Sequence, residues 1–133
     1  MSRLGPAIRH RKRMLDQVAM EIAAEQARDG ALLTKGETLT ARRACERLRA
    51  AVTPVPSDAW FENTRRRLGA LAAARAESAS RLAELRHVAV EQRARLRLLE
   101  DAAAAAHAAD RRRRERTIAA QLDDRTASLW HRA

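Results

Sequence analysis

Tyrosine is absent from this chain, and the aromatic residues number three: Trp60, Phe61 and Trp130. With so few aromatic and β-branched residues, a β-sandwich or barrel core cannot be built. A single cysteine, Cys45, excludes an intrachain disulfide and any site that needs several thiolates. The four glycines do not cluster, so there is no loop of the phosphate-cradling kind. No apolar run approaches the roughly 18 residues of a membrane span, and the N-terminal segment lacks the apolar stretch of a secretory signal. Lysine is nearly missing too, with two residues against 25 arginines. These absences predict a cytoplasmic, soluble, helical chain.

What is present points the same way. Ala, Glu, Lys, Leu and Arg fill 83 of the 133 positions, well above the roughly 50% that marks coiled coils and long helices. The hydrophobic fraction is 46%, but 31 of those residues are alanine, which leaves 30 larger side chains to form a core. The length suits one structural unit, residues 1–133.

Two prolines, Pro54 and Pro56, divide the chain. Each lacks an amide donor and clashes with a preceding helical turn. A first helix is therefore predicted from about 7 to 52, a loop over 53–57, and a second helix from about 58 to 129. Pro6 suits the opening turn of the first helix. Ser57 is a candidate N-cap for the second, with Asp58 and Glu62 near its positive end.

The second helix carries a heptad stripe. Steps of three and four from Phe61 give Thr64, Leu68, Leu71, Arg75, Ser78, Leu82, Leu85, Ala89, Gln92, Leu96, Leu99, Ala103 and Ala106. A stripe at this spacing needs a partner helix to cover it. After Ala106 the phase slips, and Ile118, Leu122 and Leu129 form a separate stripe. In the first helix Ile8, Leu15, Val18, Ile22, Leu32 and Leu39 follow one phase, while Cys45, Leu48 and Val52 restart it in another. Gly30 and Gly36 each cost about 1 kcal/mol relative to alanine, leaving open whether this helix is continuous between Asp29 and Thr40.

The fold predicted from these features is all-α: a long antiparallel two-helix coiled-coil hairpin with an overhanging C-terminal helix. Folding about Val55 sets residue i near residue 110 − i. Leu48 then stands near Phe61, Leu39 near Leu71, Leu15 near Leu96, and the second helix overhangs from about residue 110. The overhang bears the Ile118, Leu122 and Leu129 stripe, for which the chain supplies no partner.

The net charge of +10 is unevenly placed. Arg3, Arg9, Arg11, Lys12 and Arg13 occupy the first 13 residues without an acid, and residues 111–116 carry five arginines and one glutamate. Residues 14–41 sum to −3. Arg42, Arg43, Arg47, Arg49 and Arg65, Arg66, Arg67 flank the loop. The hairpin would be basic toward both ends, which favours acidic partner surfaces.

No catalytic arrangement is legible, and the chain is read as a non-enzyme without a cofactor. His10, His87, His107 and His131 are scattered without metal-ligand spacing. Glu100-Asp101 and Asp123-Asp124 are adjacent, so their carboxylates diverge on a helix. Cys45 reads as a small helix-packing residue. Phe61 lies in the heptad and Trp60 beside it. Trp60 either packs over the loop prolines or serves as a partner-binding anchor of the kind tryptophan often supplies.

In this order the features resemble the FliJ family of flagellar type III export and its SctO/YscO-like relatives in virulence secretion. They are a basic N-terminal helix, a mid-chain break and the segment Ser57-Asp58-Ala59-Trp60-Phe61-Glu62-Asn63. A leucine heptad helix follows, then Arg111-Arg112-Arg113-Arg114-Glu115-Arg116 and Gln121-Leu122-Asp123-Asp124. The family's more usual Asp-Glu is Asp-Asp here. The resemblance implies a non-catalytic stalk that enters the hexameric export ATPase by the end bearing the termini. It also implies links to the export gate, a membrane protein with a cytoplasmic part, and to export chaperones, at the cytoplasmic face of the inner membrane. On this reading Arg9, Arg11, Arg13, Arg111, Arg112, Arg113, Arg114, Ile118 and Leu122 contact the ATPase, and Trp60, Phe61 and Leu68 the gate.

Two alternatives belong to other classes. A basic helical nucleic-acid-binding protein fits the charge, although acids alternate with arginine along the second helix and no stacking aromatics are present. A homodimeric coiled-coil scaffold fits the polar seam positions Arg75, Ser78 and Gln92, which weaken a self-contained hairpin.

Overall fold

The computed structural model describes residues 3–53 and 57–132. It contains two α-helices, α1 over Gly5–Val52 and α2 over Asp58–Arg132, 48 and 75 residues long, and no strand among the described residues. The two helices pack against each other, so the fold is all-α, as expected. The expected loop residues Pro54, Val55 and Pro56 lie outside the described residues. On either side of them Thr53 N–H donates to Arg49 O at 2.8 Å, and Phe61 N–H donates to Ser57 O at 3.0 Å. Ser57 thus accepts the first intrahelical bond of α2 through its carbonyl, as an N-cap residue does.

α1 runs unbroken through Gly30 and Gly36. Neither glycine has a positive φ, and a Cβ added at either meets nothing within 4 Å. Three threonines reinforce this stretch, each bonding back one turn. Thr34 Oγ1 donates to Gly30 O, Thr38 Oγ1 to Thr34 O and Thr40 Oγ1 to Gly36 O, at 2.8–3.0 Å.

The packing divides into two units, Asp16–Val90 and the pairing of Met1–Leu15 with Glu91–Ala133. Within the Asp16–Val90 unit, α1 and α2 are antiparallel. Arg75 Nε donates to Asp29 Oδ1 at 3.1 Å, and Arg81 Nε donates to Glu25 Oε1 at 3.2 Å. The residue numbers of these pairs sum to 104 and 106, so residue i stands opposite about 104 − i, about six residues from the expected register. The polar seam residues explain the choice. In the expected register Arg75 would face Lys35, a like charge, and Glu25 would face Leu85. The observed register gives both arginines a carboxylate.

The seam of α2 follows the predicted heptad. From Phe61 to Ala89 every predicted position is buried or half-buried, with Leu82 and Ala89 buried among the apolar ones and Thr64 and Ser78 among the polar ones. The seam of α1 differs from the prediction. Its covered positions are Val18, Ile22, Glu25, Asp29, Leu32, Gly36, Leu39, Arg43 and Glu46, an unbroken alternation of three and four that accepts charged residues and a glycine in place of apolar side chains. The expected phase shift does not occur. Cys45 is exposed, and Leu48 and Val52 are 73% and 86% exposed, because they fall off this stripe and the last turn of α1 has no counterpart on α2. Leu39, 6% exposed, is the best-covered apolar side chain.

In the other unit the same type of stripe continues, with Leu4, Ile8, Arg11 and Leu15 of α1 half-buried, Gln92 of α2 buried, and Leu96, Leu99 and Ala103 half-buried. Arg11 Nη1 donates to Gln92 Oε1 at 2.7 Å, a pair whose numbers sum to 103. The predicted polar seam positions Arg75 and Gln92 are therefore partnered within the chain. Ala106, expected in the seam, is exposed. Ala103 is the last half-buried position of the seam, and from residue 104 onward α2 continues past the first turn of α1. The overhang starts about six residues earlier than expected, by the same register difference, and its 29 described residues span about 42 Å.

Candidate functional site

The charged layer in the Asp16–Val90 unit is its most elaborate side-chain cluster. Glu25 and Asp29 project from α1 one heptad step apart, and Arg75, Ser78 and Arg81 answer them from α2. Ser78 is completely covered, and its small side chain lets the helices approach at this level. Its hydroxyl lies beside Glu25 without meeting full hydrogen-bond geometry, and Arg81 Nη2 is likewise buried without a partner. The Ser78 hydroxyl, and after it Arg81 and Arg28, hold the Glu25 carboxyl below the usual carboxylate range, against partial burial that raises it. The hydrogen bond to Asp29 and its charge raise the Arg75 guanidinium above its ordinary value. These charges are only partly buried, the two arginine side chains being 42% exposed, so solvent screens their attraction and they fix register more than they add stability. No metal-binding group of His, Cys, Asp and Glu occurs among the described residues.

Near the loop, Trp60 and Phe61 pack edge to face, ring centroids 5.2 Å apart at 87°. Both are half-buried, as is Leu68 one heptad after Phe61. Arg66 reaches Glu62 at 3.3 Å and Arg49 reaches Glu46 at 3.3 Å, surface pairs that contribute little to stability. An open groove beside Gly36 is lined by Leu32, Leu33, Leu68, Leu71 and Ala72. The aromatic pair and the loop-flanking arginines thus share one end of this unit.

The predicted ATPase-contacting residues all fall in the unit that contains the overhang. Arg9 and Arg13 are exposed, and Arg11 is engaged with Gln92 across the seam. Arg111, Arg112, Arg113 and Arg114 are exposed on the unpaired helix, with Arg112 Nε donating to Ala108 O at 3.4 Å. The two basic clusters lie toward the same end but at different levels. Arg9 stands opposite about residue 95, so Arg111 lies some 16 residues, or about 24 Å, further along the axis. Ile118 and Leu122 are 55% and 56% exposed, and Leu129 and Trp130 more so. Four consecutive arginines on a helix of 3.6 residues per turn cover its whole circumference, so residues 111–114 form a basic collar with no preferred side.

The reading from sequence missed Glu25, Asp29, Arg43 and Glu46 as seam residues. The signal was there, since the three-four alternation from Leu4 is unbroken when polarity is ignored.

No protein-family model, characterised protein or solved structure matches this chain. No helix among the described residues is long and apolar enough to cross a membrane.

Proposed function

We propose that this chain is a non-catalytic central stalk of a bacterial flagellar or type III protein export apparatus, of the kind the FliJ family supplies. The observation that carries the reading is the unpaired helix from residue 104 onward, with its arginine collar and the exposed Ile118, Leu122 and Leu129 beyond it. A one-sided partner would use a fraction of such a collar. A ring that encloses the helix uses all of it, so the shape of the charge favours a channel with an acidic lining over one face of a duplex. Charge would steer entry, and affinity would come from the apolar side chains buried on docking.

In this proposal Arg9, Arg13, Arg111, Arg112, Arg113 and Arg114, with Ile118 and Leu122, meet the hexameric export ATPase. Arg11 acts indirectly, through its bond to Gln92. Trp60, Phe61 and Leu68 meet the export gate, and export chaperones are further partners. The site of action is the cytoplasmic face of the inner membrane.

The test is capture of the hexameric export ATPase by the full chain, by a chain ending at Asp110, and by the Ile118→Asp/Leu122→Asp variant. Capture by the full chain alone supports the reading. Equal capture by all three, or none by any, refutes it.

A further inference from the structure

We propose that the overhanging helix also binds a second copy of this chain, forming an antiparallel dimer centred on Ala120. The starting point is the direction of its exposed stripe. The seam phase ends at Ala103, and the overhang's apolar side chains follow a different phase, through Ala104, Ala108, Arg111, Glu115, Ile118, Leu122, Arg125, Leu129 and Arg132. Every residue of that stripe except Ala108, which is half-exposed, is exposed. Against the seam continued at its own spacing, the stripe is offset by one and two residues in turn, which turns it by about 150° around the helix.

The order of residues in this stripe is self-complementary. When two copies run antiparallel about Ala120, Ile118 faces Leu122 of the other copy, and Leu122 faces Ile118. One heptad step outward, Glu115 faces Arg125, and by symmetry Arg125 faces Glu115. Beyond them Arg111 faces Leu129, along which its aliphatic stem can lie, and Ala108 faces Arg132. No layer opposes like charges. A parallel arrangement would set Glu115, Arg111 and Arg125 each against itself. The flanking residues on either side of the stripe add no repulsion in the antiparallel form, where Arg112 faces Thr126 and Arg114 faces Ser128. An isologous contact of this kind uses one surface patch twice. The overlap, residues 108 to 132, is between three and four heptads, about the length at which a two-stranded coil is sustained.

This goes beyond the stalk reading and competes with it for the same surface. A helix paired with a second copy cannot enter a ring, so the dimer would be the form in which the apolar stripe is covered until the ring is met. The dimer is measured on the isolated chain, so its test does not depend on an ATPase.

The experiment is sedimentation equilibrium of the full chain over a range of concentrations. The samples are the wild type, Glu115→Arg, Arg125→Glu, an equimolar mixture of these two, and the double variant. Wild type is expected to associate reversibly to a dimer. Each single variant places two like-charged pairs in the interface and is expected to weaken association by about tenfold or more. Mixing the single variants matches arginine with glutamate in both layers and restores association, as does the double variant. Far-UV circular dichroism should show unchanged helix content, because both positions are exposed. A wild type that stays monomeric throughout overturns the proposal. So does a dimer that neither single variant weakens, or one that the double variant fails to restore.

Discussion

Replacing Gly30 and Gly36 together with alanine should stabilise this protein. Both lie in the interior of α1 with ordinary helical backbone, and an added Cβ at either meets nothing within 4 Å. Glycine in a helix interior is about 0.8–1.0 kcal/mol less favourable than alanine, because it leaves more freedom in the unfolded chain. The positions are six residues apart, about 9 Å along the axis, far enough for the effects to add. The gain is therefore about 1.6–2.0 kcal/mol. For 133 residues the unfolding entropy is about 0.28 kcal/mol/K, so the midpoint should rise by about 6–7 °C. A thermal melt followed by far-UV circular dichroism measures this directly. The threonine bonds to the two carbonyls are untouched by the change. An unchanged or lowered midpoint would mean that the chain breaks or turns at these glycines, and the continuous α1 would be wrong.

Two further outcomes follow from the seam. Leu39→Ala removes the best-covered apolar side chain and should cost about 2–3 kcal/mol, whereas Leu48→Ala, on an exposed residue, should stay within about 0.5 kcal/mol; denaturant titration of both decides between the observed register and one that buries Leu48. The Glu25 carboxyl is held below its ordinary value in the folded state, so its stabilisation is complete above the unfolded value and lost as pH falls through the lower folded one. The melting-temperature gap between wild type and Glu25→Gln should accordingly be open at neutral pH and close in acid, and a gap that widens in acid would contradict the assignment.

The two helices were unequally legible. α2 announces its seam because Leu68, Leu71, Leu82, Leu85, Leu96 and Leu99 repeat at heptad spacing, and the polar positions between them, Thr64, Ser78 and Gln92, inherit their places. α1 hides its seam because Arg11, Glu25, Asp29, Gly36, Arg43 and Glu46 occupy positions where an apolar pattern is sought. A search guided by hydrophobicity then drifts to Cys45, Leu48 and Val52. Those charges make sense only in pairs, and a pairing is invisible until the register is known. The register itself depends on which side chains meet across the seam, so counting outward from the loop midpoint misplaced it by about six residues. The unpartnered stripe of Ile118, Leu122 and Leu129 could be read in advance, because it required only that one helix outlast the other.

Between the end of the seam at Ala103 and the arginine collar, α2 is almost entirely alanine, Ala104 to Ala106 with Ala108 and Ala109. Alanine surrenders no side-chain freedom on entering a helix and has the highest intrinsic preference for it. Local preference therefore favours the helix through this stretch, beyond the end of the seam. A molecule that engages the residues beyond it meets a segment already ordered, and the conformational entropy that coupled folding and binding would consume remains available as affinity. Amide exchange along this stretch should accordingly be slower than in a flexible tail and change little when a partner binds.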